Sequence, residues 1–299
     1  NINTVMTIFT CCSRCLICIS LFCLSPLTVV LNLLVVFSIS HVRHLQTTTN
    51  LILLSMAVSD LLVGLAVMPL IIVTLDSCQG TSTFECYLYQ LLGLILTSAS
   101  VGNMVLISVD RYVAICYPLR YSSIKPNRVK LCVSLCWICS VIYSFILMKD
   151  SLSLIDFSVT CYKKCILFIN FILVIVDVVI TFYVPLTVII VLYSRVFVVA
   201  VTQARAMRAQ VSTISSQSVS AMKSEMRAAR TLGIIVLFFL MSFLPYYISY
   251  LTGHSTDTES VANQLILFCC NSTINPIIYA FFYPWFRNNV KVIISGKVF

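Results

Sequence analysis

The stretch CYLYQLLGLILTSASVGNMVLISVDRYVAIC, residues 86–116, is apolar over most of its length and carries an acid–base pair, Asp110 and Arg111, only near its end. A helix rises about 1.5 Å per residue, so about 20 apolar residues cross about 30 Å of hydrocarbon. This run is therefore long enough to span a membrane. Similar runs lie at 12–39, 50–74, 130–147, 167–196, 229–252 and 261–282. Because they are continuous rather than alternating, they predict seven helices and not barrel strands.

The composition also indicates a membrane protein. Of the 299 residues, 60% are hydrophobic and 10% are charged, whereas a soluble domain usually carries about 25% charged residues. A bilayer accommodates this much apolar surface, and a soluble core does not. We therefore predict one all-α domain over residues 1–299, a seven-transmembrane bundle with a short amphipathic helix after span seven. The spans are numbered one to seven in chain order.

The loop charges predict the orientation. Most of the 19 Lys and Arg residues lie in loops on one side of the predicted membrane, and Arg14, Lys149, Lys163 and Lys164 lie on the other. Cytoplasmic loops carry such a basic excess. We expect an extracellular N-terminus, a cytoplasmic C-terminus, and a multi-pass protein of the plasma membrane in contact with its lipid. The net charge of +9 then reflects topology, and nucleic acid is not an expected partner.

Polar residues inside the apolar runs are the first functional candidates, because each is costly in hydrocarbon. A central group lies at mid-depth or lower in its spans: Asn32, Asp60, Ser100, Asn271 and Asn275. Such residues either bind helices together through hydrogen bonds or hold a cation around the Asp60 carboxylate, and we expect a mixture of the two. The predicted ion is sodium, bound by Asp60, Ser100, Asn271 and Asn275. Its binding is expected to favour an inactive state of the helical bundle.

A second group lies at the inner end of span three, about 36 Å from Cys86 at 1.5 Å per residue. It is the triplet Asp110, Arg111 and Tyr112. Glu225 opens span six on the same side and is a candidate partner of Arg111. A pair made in one state and broken in another is a bistable element.

Some of the fifteen cysteines are predicted to face the cell exterior, where disulfides persist. Cys86 begins span three, and Cys161 and Cys165 lie in the loop before span five. We expect a bridge from Cys86 to that loop.

Several motifs, one per span, resemble those of rhodopsin-like G-protein-coupled receptors. They are Asn32, LSMAVSD at 54–60, DRYVAICYPL at 110–119, Trp137, Pro185, the segment 239–245 and NPIIY at 275–279. A narrower resemblance is to trace amine-associated receptors. It rests on NSTINPIIYAFFYPWF at 271–286, KSEMRAARTLG at 223–233, and the pair Cys161 and Cys165.

That resemblance implies an olfactory-type receptor for amines that signals through a stimulatory G protein and cyclic AMP. Tyr193 and Tyr279 then join Asp110, Arg111, Tyr112 and Glu225 as residues of the G-protein switch. It also implies a disulfide between Cys86 and Cys165. The partner of Cys161 stays open among Cys11, Cys12 and Cys15.

The sequence departs from the amine-receptor pattern at three positions. The Asp expected seven residues after the span-three cysteine is Gly93, the Trp expected two residues before the span-six proline is Phe243, and the Tyr expected seven residues before the span-seven proline is Cys269. The usual ammonium partner is therefore absent. Gly93 also leaves space beside span five.

Asp177 offers an alternative ammonium partner. It lies eight residues before Pro185, about two turns toward the outside, and a subset of the family resembles this arrangement. An ammonium would form a charge-assisted hydrogen bond with it; a structural acid is the alternative. The remaining candidate ligand-binding residues are Thr97, Gly93, Tyr246, Tyr247, Phe243, Leu265 and Cys269.

Parts of the sequence are also compatible with other functions. Gly93 leaves open a rhodopsin-like receptor for a non-amine ligand. Asp60 and Asp177 would suit an ion path in a transporter or channel, but an odd number of spans and the lack of inverted repeats oppose it. An enzyme is not expected, because the three histidines fall in loops and no nucleophile–base pair is evident.

Overall fold

The structure is a computed structural model. It describes residues 2–41, 46–76, 83–149, 171–209 and 258–282, with 233–234, 236–238, 240–245, 248, 286–288, 290–291 and 295. Within these ranges the chain forms helices and short connections and no strand. The all-α prediction is confirmed.

The helices follow the apolar runs in order. They are α1 (Ile2–His41), α2 (Thr48–Leu62), α3 (Met68–Asp76), α4 (Thr83–Cys116), α5 (Pro118–Tyr121), α6 (Pro126–Met148), α7 (Phe171–Val178), α8 (Val184–Ala209) and α9 (Thr258–Phe282). Spans one, three, four and seven correspond to α1, α4, α6 and α9, and spans two and five to the pairs α2–α3 and α7–α8. Residues 233–248 belong to span six. After span seven, Phe286 is buried while Arg287 and Lys291 are exposed, in helical residues where an amphipathic helix is predicted.

The helices are longer than the apolar runs. Span one is predicted at 12–39, whereas α1 covers Ile2–His41. Span five is predicted to end at residue 196, whereas α8 continues to Ala209. Hydropathy marks only the part of a helix in hydrocarbon, and a helix satisfies its own backbone hydrogen bonds beyond that part. The predicted start of span five and both predicted ends of span six lie outside the described residues.

The described residues include five helical stretches long and apolar enough to cross a membrane: Cys15–His41, Thr48–Thr74, Tyr87–Cys116, Pro126–Met148 and Ile175–Val199. Shorter apolar helical segments at Val236–Pro245 and Ile266–Tyr279 belong to spans six and seven. Large apolar side chains on the outside of the bundle are exposed, as a lipid-facing surface requires.

Two prolines explain the irregular turns in spans two and five. One π-helical turn covers Val63–Val67 and another covers Val179–Tyr183. Each is centred four residues before a proline, Pro69 or Pro185. Proline has no N–H to donate to the carbonyl four residues earlier, and its ring clashes with that carbonyl. The helix accommodates the lost bond by widening for one turn.

Helix α4 is central to the bundle. It packs against α2, α6 and α8, while α1 packs against α2 and α9. Met56, Met104 and Tyr279 are almost completely buried in the core between α2, α4 and α9. Helix α4 therefore packs directly against α2, the helix that carries Asp60.

Gly102 allows α4 and α6 to approach closely, because a Cβ at this position would overlap Cys136 Sγ. We expect Gly102→Ala to destabilise the protein by about 1–3 kcal/mol, since overpacking displaces neighbouring atoms. The measurement is the thermal unfolding midpoint in detergent. Gly93→Ala is the matched control, because a Cβ at Gly93 meets nothing within 4 Å. Cys136→Ala should rescue Gly102→Ala; equal stability of the two glycine variants would contradict the close approach.

Candidate functional site

Asp177 lies near the end of α7 and is half-buried. Tyr143 of span four donates its hydroxyl to Asp177 Oδ1 at 2.6 Å. Thr181, one turn further along, donates to the Asp177 carbonyl at 2.7 Å. The one ion pair among the described residues joins Asp110 and Arg111, so in this part of the chain no Lys or Arg neutralises Asp177.

Gly93 on span three borders open space. An added Cβ there would have no heavy atom within 4 Å, as expected from the missing side chain. Thr97 donates its hydroxyl to the Gly93 carbonyl at 2.7 Å. The Thr97 proton is thereby held by its own helix, and its oxygen remains able to accept a hydrogen bond.

Phe243 and Cys269 are both buried, but in different parts of the core: Phe243 belongs to the main core, whereas Cys269 packs with residues of spans one, two and three. Phe243 contacts Phe268 edge-to-face, with ring centroids 5.9 Å apart. Phe243 is 5% exposed and Cys269 is completely buried. Both side chains therefore contribute apolar packing rather than hydrogen-bonding groups for a ligand.

Other predicted positions lie outside the described residues: Tyr246, Tyr247, Glu225, Cys165, Cys161 and the side chains of Leu265, Cys86, Cys11 and Cys12. Cys15 is described, and it is an exposed free cysteine.

The Asp60 cluster is buried in the centre of the bundle. Asn275 Nδ2 donates to Asp60 Oδ2 at 2.8 Å, and the hydroxyls of Ser59 and Ser100 lie 3.2 Å apart. Asp60 Oδ1, Asn271 Oδ1 and Asn275 Oδ1 are buried and accept no hydrogen bond from the residues that the structure describes. Buried acceptors without donors are rare. The candidate ligands are all oxygen atoms, and one of them belongs to a carboxylate. This combination fits a hard cation such as sodium.

Asn32 has a different role from Asp60. Its Nδ2 donates to the carbonyls of Thr28 at 2.9 Å and Ser272 at 3.0 Å. Thr28 and Thr273 also share a hydrogen bond at 2.5 Å. These contacts join span one to span seven, so Asn32 acts as a structural link between helices.

At the predicted inner end of span three, Arg111 forms an ion pair with the preceding residue, Asp110. Its Nη2 lies 2.7 Å from Asp110 Oδ2, and these residues are 4% and 8% exposed. Thr49 donates to the same carboxylate oxygen at 2.7 Å and accepts from Arg111. Tyr121 in α5 also accepts from Arg111 Nη2 at 3.2 Å. The triplet is thus tied to span two and to the loop after span three.

The structure also describes the three tyrosines that were predicted to belong to the G-protein switch. Tyr279 is 1% exposed and donates to Met56 Sδ at 3.5 Å. Tyr193 packs against the main core, and its ring would be 3.4 Å from a Cβ at Gly233. Tyr193 therefore lies where span five meets span six. Tyr112 is half-buried and contacts the Tyr117 ring edge-on, with centroids 5.7 Å apart.

Sequence reasoning missed Tyr143, Thr49 and Tyr121. A Tyr within an apolar span is a signal for Tyr143, because a buried hydroxyl usually finds a partner. For Thr49 and Tyr121, the only signal was their predicted closeness to the inner end of the membrane. Which carboxylate each would contact depends on helix packing.

Comparison with known proteins agrees with this architecture. The model of the seven-transmembrane receptors of the rhodopsin family matches residues 31–279. The chain is 34% identical to trace amine-associated receptor 13c of Danio rerio, across 91% of this chain and 83% of that protein. It is 35% identical to receptor 8c of Rattus norvegicus, across 89% and 82%. It is 37% identical to receptor 9 of Mus musculus, across 90% and 81%.

The family model covers residues 31–279, a range that contains the Asp60 cluster and the Asp110–Arg111 pair. The family consists of membrane-spanning receptors that bind small ligands and G proteins, and it is not an enzyme family. The chain belongs to the rhodopsin family of seven-transmembrane receptors and, within it, to the trace amine-associated receptors.

Proposed function

We propose that this chain is an olfactory-type receptor for amines in which the ligand ammonium pairs with Asp177. Its N-terminus is extracellular, and it signals through a stimulatory or olfactory-type G protein and cyclic AMP. The observation that carries the proposal is the half-buried carboxylate of Asp177, which has a tyrosine donor but no cationic partner among the described residues. The names of the relatives, trace amine-associated receptors, support the ligand class.

The carboxylate has capacity for a ligand. Tyr143 donates to Oδ1 alone, whereas a carboxylate offers about four acceptor positions. A charged group in a membrane span is costly unless it is paired, and an ammonium supplies the opposite charge with its own donors. Thr97, Gly93 and Leu265 would line the rest of the site, with Phe243 and Cys269 below it.

Tyr246 and Tyr247 complete the proposed site from span six. Their rings would add cation–π contact to the ammonium, worth roughly 0.5–2 kcal/mol.

The proposal is tested by a cyclic-AMP assay on cells expressing the chain, over primary amines, tertiary amines and diamines. We expect at least one class to respond, with no response in cells carrying the empty vector. Nucleotide exchange on separately added stimulatory and inhibitory G proteins identifies the coupled class. A ligand that activates only the inhibitory protein would contradict the signalling part of the proposal.

A receptor for a neutral ligand is the second candidate, and the open space at Gly93 favours it. Such a ligand would fill that volume without needing a carboxylate. Activation by neutral compounds that is unchanged in Asp177→Asn would select this candidate.

Tyr143 is proposed to position Asp177. We expect Tyr143→Phe to lower amine potency about tenfold, because a hydrogen bond to a charged group contributes about 1.5–3 kcal/mol. The change removes only the hydroxyl that lies 2.6 Å from Asp177 Oδ1. Potency is measured by cyclic-AMP dose–response at matched surface expression. Phe145→Ala, on the exposed face of the same helix, is the control; an equal loss there would refute the positioning role.

Sodium is proposed to bind at Asp60, Ser100, Asn271 and Asn275 and to favour the inactive state. Replacing N-methyl-D-glucamine with sodium at constant ionic strength should then weaken agonist binding by about fivefold or more. Asp60→Asn should remove this dependence, because the amide lacks the charge that holds the ion. The measurement is agonist affinity in membranes. A sodium effect of equal size in Asp60→Asn would exclude this site.

A further inference from the structure

One backbone carbonyl of span two, that of Gly64, loses the donor that its own helix would supply. In the π-helical turn Val63–Val67, the Met68 N–H donates to the Val63 carbonyl. The next nitrogen in this pattern belongs to Pro69, and a proline nitrogen carries no hydrogen. A carbonyl without a donor is unfavourable inside a membrane, so the Gly64 carbonyl needs a donor from outside its helix.

Ser25 of span one supplies that donor. Its Oγ donates to the Gly64 carbonyl at 2.8 Å, across the interface between spans one and two. The two helices are in close contact there, because a Cβ added to Gly64 would lie 3.1 Å from Val29 Cγ2 and 3.2 Å from Thr28 Cβ. Ser25 thus replaces, from a neighbouring helix, the hydrogen bond that Pro69 removes.

The Ser25 hydroxyl also has a candidate acceptor within span one. Pro26 lies inside α1, so the carbonyl of Phe22 loses the backbone donor that it would have in a regular helix. Phe22 precedes Ser25 by three residues, and serine hydroxyls can donate to carbonyls three or four residues earlier. Ser59 does so in span two, to the Met56 carbonyl at 2.8 Å. One hydroxyl therefore has two candidate acceptors, each deprived of its usual donor by a proline.

The hydrogen bond between Ser25 and Gly64 lies close to the Asp60 site. Gly64 follows Asp60 by four residues, about one helical turn, and Asp60 accepts from Asn275 of span seven at 2.8 Å. A π turn contains about one residue more than an α turn, and one residue corresponds to a rotation of about 100°. A change of the π turn into an α turn would therefore rotate α2, which carries Asp60, relative to α3.

We propose that Ser25 is a positioning residue that holds the π turn of span two, and that it releases this turn when its hydroxyl moves from the Gly64 carbonyl to that of Phe22. Donation to Gly64 stabilises the described position of Asp60. Donation to Phe22 leaves the Gly64 carbonyl without a donor and favours rearrangement of the turn, so the two positions of one hydroxyl form a bistable element. The consequence for signalling rests on the proposed receptor function, whereas the hydrogen bond does not.

The test is the carbonyl chemical shift of Gly64, measured by NMR on the purified full chain in lipid nanodiscs. With isotope-labelled glycine carbonyl carbons and leucine amide nitrogens, only Gly–Leu peptide bonds give a signal, and the chain contains two, Gly64–Leu65 and Gly93–Leu94. We expect Ser25→Ala to move the Gly64 signal upfield, because its carbonyl loses a donor. The Gly93 signal is the internal reference and should not move.

Ser20→Ala is the matched control, because the Ser20 hydroxyl donates within its own helix, to the Leu16 carbonyl at 2.8 Å. It should move neither signal. In a Pro69→Ala background the backbone regains an N–H at this position, so Ser25→Ala should move the Gly64 signal roughly half as far or less. An unchanged Gly64 signal in Ser25→Ala, or an equal movement in the Pro69→Ala background, would overturn the proposal.

If Ser25→Ala does not fold, Ser25→Cys is measured in its place. Its thiol is a weaker donor, so the Gly64 signal should move in the same direction. An unchanged signal in Ser25→Cys would then overturn the proposal.

Nucleotide exchange on added G protein, without ligand, measures the consequence for signalling. Ser25→Ala should raise it about threefold, because the described conformation loses one hydrogen bond, and Ser20→Ala should leave it unchanged. Pro26→Ala should lower it, because the Phe22 carbonyl then has a backbone donor and no longer competes for the Ser25 hydroxyl. If the Gly64 signal moves as expected but exchange is the same in Ser25→Ala and wild type, the switching role is wrong. If wild type drives no exchange with any ligand or G protein, the proposed receptor function fails, and the NMR result still decides the role of Ser25.

Discussion

Replacing Asp177 with Asn is expected to lower amine potency by at least about a hundredfold. The substitution keeps the shape of the side chain and removes its charge, so the ammonium loses its proposed partner. Removing one member of a desolvated ion pair costs about 3–5 kcal/mol, and each 1.4 kcal/mol is tenfold in affinity. The measurement is a cyclic-AMP dose–response curve at matched surface expression.

Asp177→Glu provides the control for this prediction, because it retains the charge and moves it by about one bond. It should lose less potency than Asp177→Asn. A response within about threefold of wild type in Asp177→Asn would show that the ammonium binds elsewhere and that Asp177 is a structural acid held by Tyr143.

Replacing Asp110 with Asn is expected to raise signalling in the absence of ligand. Arg111 is held by the Asp110 carboxylate at 2.7 Å, and Thr49 donates to the same oxygen. Both members of the pair are buried, so the interaction is weakly screened by solvent. Loss of the charge should release the guanidinium and shift the proposed receptor toward its signalling state. Typical couplings of 1–3 kcal/mol predict a rise of about fivefold or more.

The readout for Asp110→Asn is nucleotide exchange on added G protein in membranes without ligand. Thr49→Val is the graded comparison, because it removes one hydrogen bond to the carboxylate and keeps the ion pair. Its basal exchange should lie between those of wild type and Asp110→Asn. Unchanged basal exchange in Asp110→Asn would mean that the Asp110–Arg111 pair does not hold the inactive state.

The helical architecture was predictable because hydrocarbon forces long apolar runs to satisfy their own hydrogen bonds. The same logic identified Asp60, Asp110 and Asp177 as exceptions within those runs. The ends of α1 and α8 were not predicted, because a helix can extend beyond the apolar run that crosses the membrane.

Side-chain partners were predicted less well than positions. The hydrogen bond between Asp60 and Asn275 agrees with the predicted cluster. The Asn32 amide instead donates to the backbone carbonyls of Thr28 and Ser272. The pair of Arg111 with Glu225 stays a prediction, because Glu225 lies outside the described residues; within them, Arg111 binds Asp110. Such choices depend on helix rotation and on how closely neighbouring spans approach, and a single sequence encodes neither directly.

The most direct test of the central claim is a thermodynamic cycle of four binding constants. An active tertiary amine and its neutral isostere, with CH in place of the protonated nitrogen, are each measured on purified wild type and Asp177→Asn. If the ammonium pairs with Asp177, the amine binds wild type at least about a hundredfold more tightly than the isostere, and this advantage falls to within a few fold in Asp177→Asn. An equal advantage in both proteins would contradict the account.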